Sequence, residues 1–400
     1  MPVIGDHDTV KVRRLYTELR RRIMSGALPR GHALPSQREL SQEAGVAEGT
    51  ASEALARLAR DGLIRRVPRR GSFVCEEPSP AATIDFVHMS SPPGRPQSVA
   101  NLEYVNHFVA LCDARGWRAV WQPLPYGSYD RPETMVERFR KSRGVIALGS
   151  PDAFVRTLHD AAIPVVSFVS PPEPHIITAP YPRLERDRGA VIDIAVRHLI
   201  ELGRRRIIYA SHGSRYWTEG FIASARRHEL TIPLDWIVES KGDYFMRDVN
   251  PKIRRLLAAE SRPQAICCPS DHDAQLMLQC VLDAGLRVPE DVAIVATASS
   301  PEALTGPVPL TTVGMNVEEI CRRALDLIEE VEPGFNPGER PLFEPEYVPL
   351  YLTVNASTSP AHAGQVTRFE VIPEKESEGQ IIYRSASTIE DQCHGQRVHA

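Results

Sequence analysis

No stretch of the 400-residue chain approaches the ~18 consecutive apolar residues that a membrane-spanning helix needs. The opening residues, MPVIGDHDTV, lack the basic-then-apolar order of a secretory signal. Seven cysteines, an odd number, are scattered without a CxxC pair, which argues against a disulfide framework or a structural zinc site. The expectation is therefore a cytoplasmic protein with reduced thiols and no membrane association. GxSxG, the phosphate-binding GxxxxGK[ST], HExxH and the dinucleotide-binding GxGxxG are all missing. No enzyme class, cofactor or metal is expected. Proline is abundant, at 34 residues against a usual ~5 %, which signals many connections. At 42 % hydrophobic and 24 % charged residues the composition is that of a globular chain, and its length calls for two or three domains.

A net charge of −4 conceals an asymmetry. Residues 1–75 hold 14 Lys and Arg against 8 Asp and Glu, whereas the remaining 325 hold 33 against 43. A small basic head on a large acidic body suggests a nucleic-acid module joined to something else, although a solvated basic face would leave the same imprint. Within the head, Val12, Leu15, Leu19 and Ile23 recur at helical spacing over 10–26, with Arg13, Arg14 and Arg20–Arg22 largely opposite. Ser36 with Glu39 three residues on forms a capping box for a second helix ending near Ala44 and Gly45. A third helix over 47–61 turns Ala51, Leu55 and Leu58 inward. Residues 63–67 and 72–74 read as strands around the arginine-bearing turn Pro68–Gly71, a hairpin able to lie over a phosphate row. Two helices joined by a tight glycine turn form a helix-turn-helix, whose second member enters the major groove.

LPSQREL, AGVAEGTASEALARLARDGLIRR and RRGSFV resemble the winged-helix domain of the GntR family of bacterial transcription regulators over about residues 10–75. The resemblance implies a homodimer on a palindromic double-stranded operator. It places Ser36 and Arg38 at the start of the second helix, Glu48, Thr50 and Ser52 in the recognition helix, and Arg69, Arg70 and Gly71 in the wing, against DNA. The family usually has Ser-Arg where this chain has Ala47-Glu48, and Arg where it has Ser52. Arginine neutralises phosphate and grips guanine, whereas glutamate accepts from cytosine and is repelled by phosphate. An unusual operator or weak affinity per monomer would follow, and loss of DNA binding is the rival outcome.

After a proline-rich spacer over 76–82, short apolar runs alternate with longer helices. Strands are predicted at 84–89, 117–122, 144–148, 163–169, 206–210, 236–240, 264–268 and 292–296. Helices are predicted at 98–115, 151–162, 187–202, 216–228, 247–260, 272–284 and 316–332. This alternation predicts parallel sheets with helices on both faces, and about 270 residues call for two such lobes. HLIELGRRRIIYA, AICCPSDHDAQLMLQCVLDAGLRVPEDVAIVA and PLTTVGMN resemble the effector domain of LacI-type repressors over about 83–355. The fold expected is thus α/β, an N-terminal winged helix-turn-helix plus a two-lobed periplasmic-binding-protein-like domain with parallel sheets. The resemblance implies three crossing strands and a small-molecule effector, of the sugar kind, between the lobes. Its ligand positions fall on Trp217, Ser270, Asp271, Ala298 (beside Ser299) and Met315. Trp, Ser and Ala replace the family's Arg, Asn and Asp there, which removes hydrogen-bonding capacity for hydroxyls, while Trp217 retains a face for stacking; a monosaccharide, a less polar or unusual ligand, and no ligand at all are the three readings this leaves.

Blander readings attach to several of these residues. Asp271-His272-Asp273 is compatible with metal or acid–base chemistry, but at a strand-to-helix junction Ser270 or Asp271 is more simply a cap. Asp187 reads as a cap too, and Cys267-Cys268 as core packing on opposite faces of a strand. Trp121, Tyr126 and Tyr129 surround a proline-rich loop, as a cleft rim or as loop packing. Helices 98–115 and 316–332 are candidates for the dimer surface. Residues 356–400 carry no motif, although 366–372 and 380–383 are compatible with a small hairpin.

Overall fold

The computed structural model describes residues 6–24, 26–67, 70–75, 82–89, 100–124, 132–168, 178–211, 215–240, 245–298, 300–331, 342–372 and 382–389. The chain separates into two compact units. The first comprises residues 1–84 with 112–120 and 141–143; the second comprises 85–111, 121–140 and 144–400.

In the first unit three helices, α1 (Asp6–Met24), α2 (Gln37–Ala44) and α3 (Glu48–Arg60), precede a hairpin of β1 (Ile64–Val67) and β2 (Gly71–Val74). The apolar stripe of α1 meets those of α2 and α3 around Leu15, Leu19, Leu40, Leu55 and Leu58, each at most 7 % exposed. Both arms of the capping box form: Ser36 Oγ accepts from the Glu39 N–H at 3.3 Å, and Glu39 Oε2 accepts from the Ser36 N–H at 2.7 Å. Gly45 closes α2 at φ 61°, a left-handed conformation that an L side chain resists. The hairpin pairs Ile64 with Val74 and Val67 with Gly71. A buried polar knot completes the unit. Tyr16 donates to Asp61 at 2.5 Å, Arg143 pairs with the same carboxylate, and the Arg143 guanidinium lies 4.6 Å from the Trp117 ring centre.

Strands and helices β3 (Thr83–Met89), α4 (Ala100–Ala114), β4 (Arg118–Leu124), α5 (Val136–Phe139), β5 (Gly144–Leu148), α6 (Asp152–Asp160), β6 (Val165–Phe168) and β7 (Arg183–Glu185) build the first lobe. There follow α7 (Arg188–Glu201), β8 (Ile207–Ser211), α8 (Arg215–Arg227), β9 (Ile237–Glu239), α9 (Phe245–Ala258), β10 (Ala265–Cys268), α10 (Asp271–Asp283), β11 (Ala293–Ala296) and β12 (Thr311–Gly314). The order ends with α11 (Val317–Val331), β13 (Glu346–Tyr347), β14 (Leu350–Thr353), β15 (Val366–Ile372) and β16 (Ile382–Ile389). One sheet runs β13-β7-β6-β5-β3-β4, the other β16-β15-β14-β12-β11-β10-β8-β9. From β9 to β12 the second sheet is parallel; β14, β15 and β16 extend it antiparallel.

Alternation along the parallel strands divides the second lobe's core in two. Ile207, Tyr209, Ala265, Cys267, Ala293 and Val295 pack on one face, and Ile208, Ala210, Ile266, Cys268, Ile294 and Ala296 on the other. Side chains two residues apart share a face, so a sheet covered on both sides needs continuous apolar runs. Cys267 and Cys268 are buried on opposite faces, and burial pushes the Cys267 thiol up to about 12. The chain passes between sheets three times: at 186–187, at 315–316 before α11 packs against β5 and β6, and at 348–349. At Gly144 a Cβ would stand 2.8 Å from Ile328 atoms, so α11 approaches β5 more closely than any side chain there allows.

Most predicted elements lie within two or three residues of their places. Strands β7, β12, β13 and β14 and the short α5 were not anticipated; β7 has three residues, two of them charged, and carries no periodic signal. Residues 366–372 form β15 as read, and its partner β16 runs from 382 to 389 rather than 380–383. Arg69, Tyr126, Tyr129, Ser299 and spacer residues 76–81 lie outside the described residues.

Candidate nucleic-acid interface and interlobe site

The first unit carries a groove of about 610 Å³ lined by Pro35, Ser36, Gln37, Arg38, Glu48, Leu55, Arg66, Val67, Gly71 and Ser72. Three elements converge there: the amino end of α2, the exposed side of α3, and the hairpin. The helix terminus presents backbone N–H groups and a partial positive charge suited to phosphate, and Arg38 and Arg66 add full charges. Gly71, at φ 104°, lets the hairpin turn back beside them. Among the expected contacts, Ser36, Arg38, Glu48 and Gly71 line this groove, and Arg70 is exposed at the hairpin tip. Ser52 is half-buried and accepts from Gln37 Nε2 at 3.1 Å, so it steadies α2 on α3. Thr50 is only 6 % exposed. Gln37 and Arg66 join the groove without having been singled out; their signal lay in the LPSQREL motif and the arginine-rich strand.

In the second unit Ser270 caps α10, its hydroxyl accepting from the Asp273 N–H at 3.0 Å. Both Asp271 oxygens accept backbone N–H groups at 2.9 Å, from His272 and from Ser300, which ties the loop after β11 to α10. Ala298 is half-buried in that loop. Trp217 on α8 and Met315 on the second crossing both pack, partly buried, on the second lobe's core. Over the Trp217 ring lie two guanidinium groups, Arg186 at 5.1 Å and Arg188 at 5.7 Å from its centre. Gly220 lets α8 close on α7, where a Cβ would meet Ile192 Cδ1 at 2.8 Å, and Phe221 stacks on Tyr209 at 4.9 Å.

The facing side of the first lobe is aromatic and acidic. Tyr104 on α4 is buried beside Phe86 and Phe168, with ring centres 6.5 and 5.4 Å away. Burial raises the Glu103 carboxyl above its ordinary value; His107 opposes the rise and Asp271, from the other lobe, adds to it. Arg186 on the first crossing feels the Tyr104 phenol, and burial pulls its guanidinium down to about 10. Trp217, Asp271 and Met315 are thus joined by Arg186, Tyr104 and Glu103, which sequence reasoning missed because only the packing of the lobes makes them neighbours. Asp187 caps α7, accepting from the Ala190 N–H at 2.9 Å. Trp121 donates its indole N–H to His88 Nδ1 at 2.9 Å. Among the described residues no group of three His, Cys, Asp or Glu is placed to hold a metal.

Residues 11–74 match the model of bacterial regulatory proteins of the gntR family, and residues 196–349 match that of the periplasmic binding protein-like domain. The chain joins a gntR-type domain to a periplasmic binding protein-like domain. This regulator is 22 % identical over 347 residues to the arabinose metabolism transcriptional repressor of Geobacillus stearothermophilus, covering 80 % of this chain and 94 % of that protein. It is 30 % identical over 141 residues to the ribose operon repressor of Escherichia coli, covering 34 % of this chain and 42 % of that one. Its fold is similar to that of a lac repressor dimer bound to operator and an anti-inducer, with TM-score 0.55 and 17 % identity over 70 % of this chain and 94 % of the other. The chain is a DNA-binding transcription regulator.

Proposed function

We propose that the chain is a cytoplasmic repressor that binds a palindromic operator as a homodimer and is controlled by a small hydroxylated effector of the sugar kind held between its lobes. The observation that carries this reading is the groove, in which a helix terminus, the exposed side of α3 and a basic wing form one concave surface. Basic side chains there displace counterions from phosphate and give salt-sensitive affinity; Glu48 on the same surface supplies an acceptor for a base edge. Support for the effector comes from the two-lobed body and from relatives named for arabinose metabolism and the ribose operon. Support for a two-fold complex comes from the operator-bound dimer of similar fold and from α4, which exposes Leu102 and Val109 one heptad apart. The effector acts only through its differential affinity for the operator-competent and operator-incompetent arrangements.

Selection of bound fragments from genomic DNA, followed by binding titrations at several salt concentrations, tests the proposal. Arg38→Ala is expected to weaken all fragments alike and to reduce the salt slope by about 1. Glu48→Gln is expected to relax preference at one base pair by ~1–3 kcal/mol. The exposed carboxylate of Glu48 at the start of α3 also favours a second reading, a ligand sensor without specific DNA recognition. Absence of any selected fragment at every salt concentration would establish that reading instead.

A further inference from the structure

Arg186 occupies an unusual position. It sits on the first crossing between the lobes, close to Tyr104 of the first lobe and stacked on Trp217 of the second. Its Nε is buried without a hydrogen-bond partner, and among the described residues no carboxylate pairs with it. The nearby acids are engaged elsewhere. Glu185 faces Arg183 at 3.3 Å, Asp187 caps α7 through Oδ1 while its Oδ2 is buried without a hydrogen-bond partner, and Asp271 holds two backbone N–H groups. Even with its proton affinity lowered by burial, a guanidinium remains charged at neutral pH. Arg186 is half-buried, and a partly desolvated charge without a counter-charge favours the approach of an opposite charge. Stacking on Trp217 holds the guanidinium plane, whose forked donors match the paired oxygens of a carboxylate or phosphate.

Glu103 defines the opposite requirement. Its half-buried carboxylate has no hydrogen-bond partner among the described residues and is repelled by Asp271. Such a wall accepts hydrogen bonds from hydroxyls and rejects an anion. We infer that the effector of the interlobe site is a hydroxylated molecule bearing one anionic group, received by Arg186 while its hydroxyls face Glu103. This rests on the reading of the body as effector-binding and narrows the ligand class from neutral sugars to sugar acids or sugar phosphates.

The full-length chain would be tested by thermal shift and calorimetry with matched probes: galactose against galacturonate, glucose against gluconate, and glucose against glucose 6-phosphate. The inference requires that at least one anion raise the melting temperature while its neutral partner at equal concentration does not. Arg186→Met should weaken that anion at least tenfold, with Arg186→Lys intermediate. The carboxylate and phosphate arms separate the two sources of the anionic group. Without ligand, Arg186→Met should melt no lower than the parent, because it removes an uncompensated charge; a clear fall would reveal a structural ion pair and overturn the inference. Equal response to neutral and anionic partners, no response to any anion, or anion binding indifferent to Arg186→Met would also overturn it. Operator binding measured on the same ligand-free samples keeps the two readings apart. Selective DNA binding without an anion response sinks only this inference, and an anion response without selective DNA binding sinks only the repressor.

Discussion

His198 on α7 illustrates how one buried side chain can set the pH limits of the fold. Its Nε2 lies 2.9 Å from Thr358 Oγ1, and burial, with His362 adding to the effect, pulls its pKa down to about 4. In the unfolded chain the imidazole titrates near ~6.5. Between these values the unfolded state binds more protons, so stability is fully present above pH ~6.5 and falls as the pH drops towards 4. The loss amounts to about 3 kcal/mol. Thermal melts from pH 4 to 8 should show this slope, and His198→Gln should flatten it. Residue-scale chemistry was only partly legible in advance. Glu48 stood out because its type clashes with phosphate, and it is exposed and lines the groove. Thr50, placed against DNA by resemblance, is only 6 % exposed, since a helix's rotation is decided by what packs behind it.

Capping decides much at the scale of the element. The amino end of α10 is held by Ser270, whose position in a ligand-bearing segment invites a binding role, yet whose hydroxyl is already engaged by the Asp273 N–H. Ser270→Ala should therefore cost about 1 kcal/mol of stability with no ligand present, read as a lowered midpoint in denaturant titration. An unchanged midpoint would mean that the hydroxyl is free for a ligand. Caps at Ser36 and Asp187 were legible because side chain and backbone meet within three residues, a distance the local sequence controls. Strand β12 was not: TTVG is too short for a periodicity, and its identity as a strand comes from pairing with β11 and β14.

At the scale of the whole molecule, the proposed homodimer requires a surface on which two copies can pair. Exposed Leu102 and Val109, at 50 % and 48 %, lie one heptad apart on α4, with half-buried Val105 between them. Water-exposed apolar side chains on one stripe suit burial against a symmetric partner. Leu102→Glu combined with Val109→Glu is expected to convert a dimer to monomers in sedimentation. Operator affinity should fall at least tenfold, because each head would then bind its half-site without the other. A variant that stays dimeric would move the interface elsewhere, with α11 the next surface to test.

By itself the sequence determined most of the helices and the longer strands, the helix-turn-helix with its wing, and a two-lobed body built on parallel strands. These follow from apolar periodicity, caps and glycine turns, all of which act over a few neighbouring residues. Only tertiary structure decided that Arg186 lies over Trp217, that Asp271 reaches Ser300, and which face of α3 is buried. Those contacts join positions tens of residues apart, and their energies exist only once two sheets and their crossing segments bring the partners within a few ångströms.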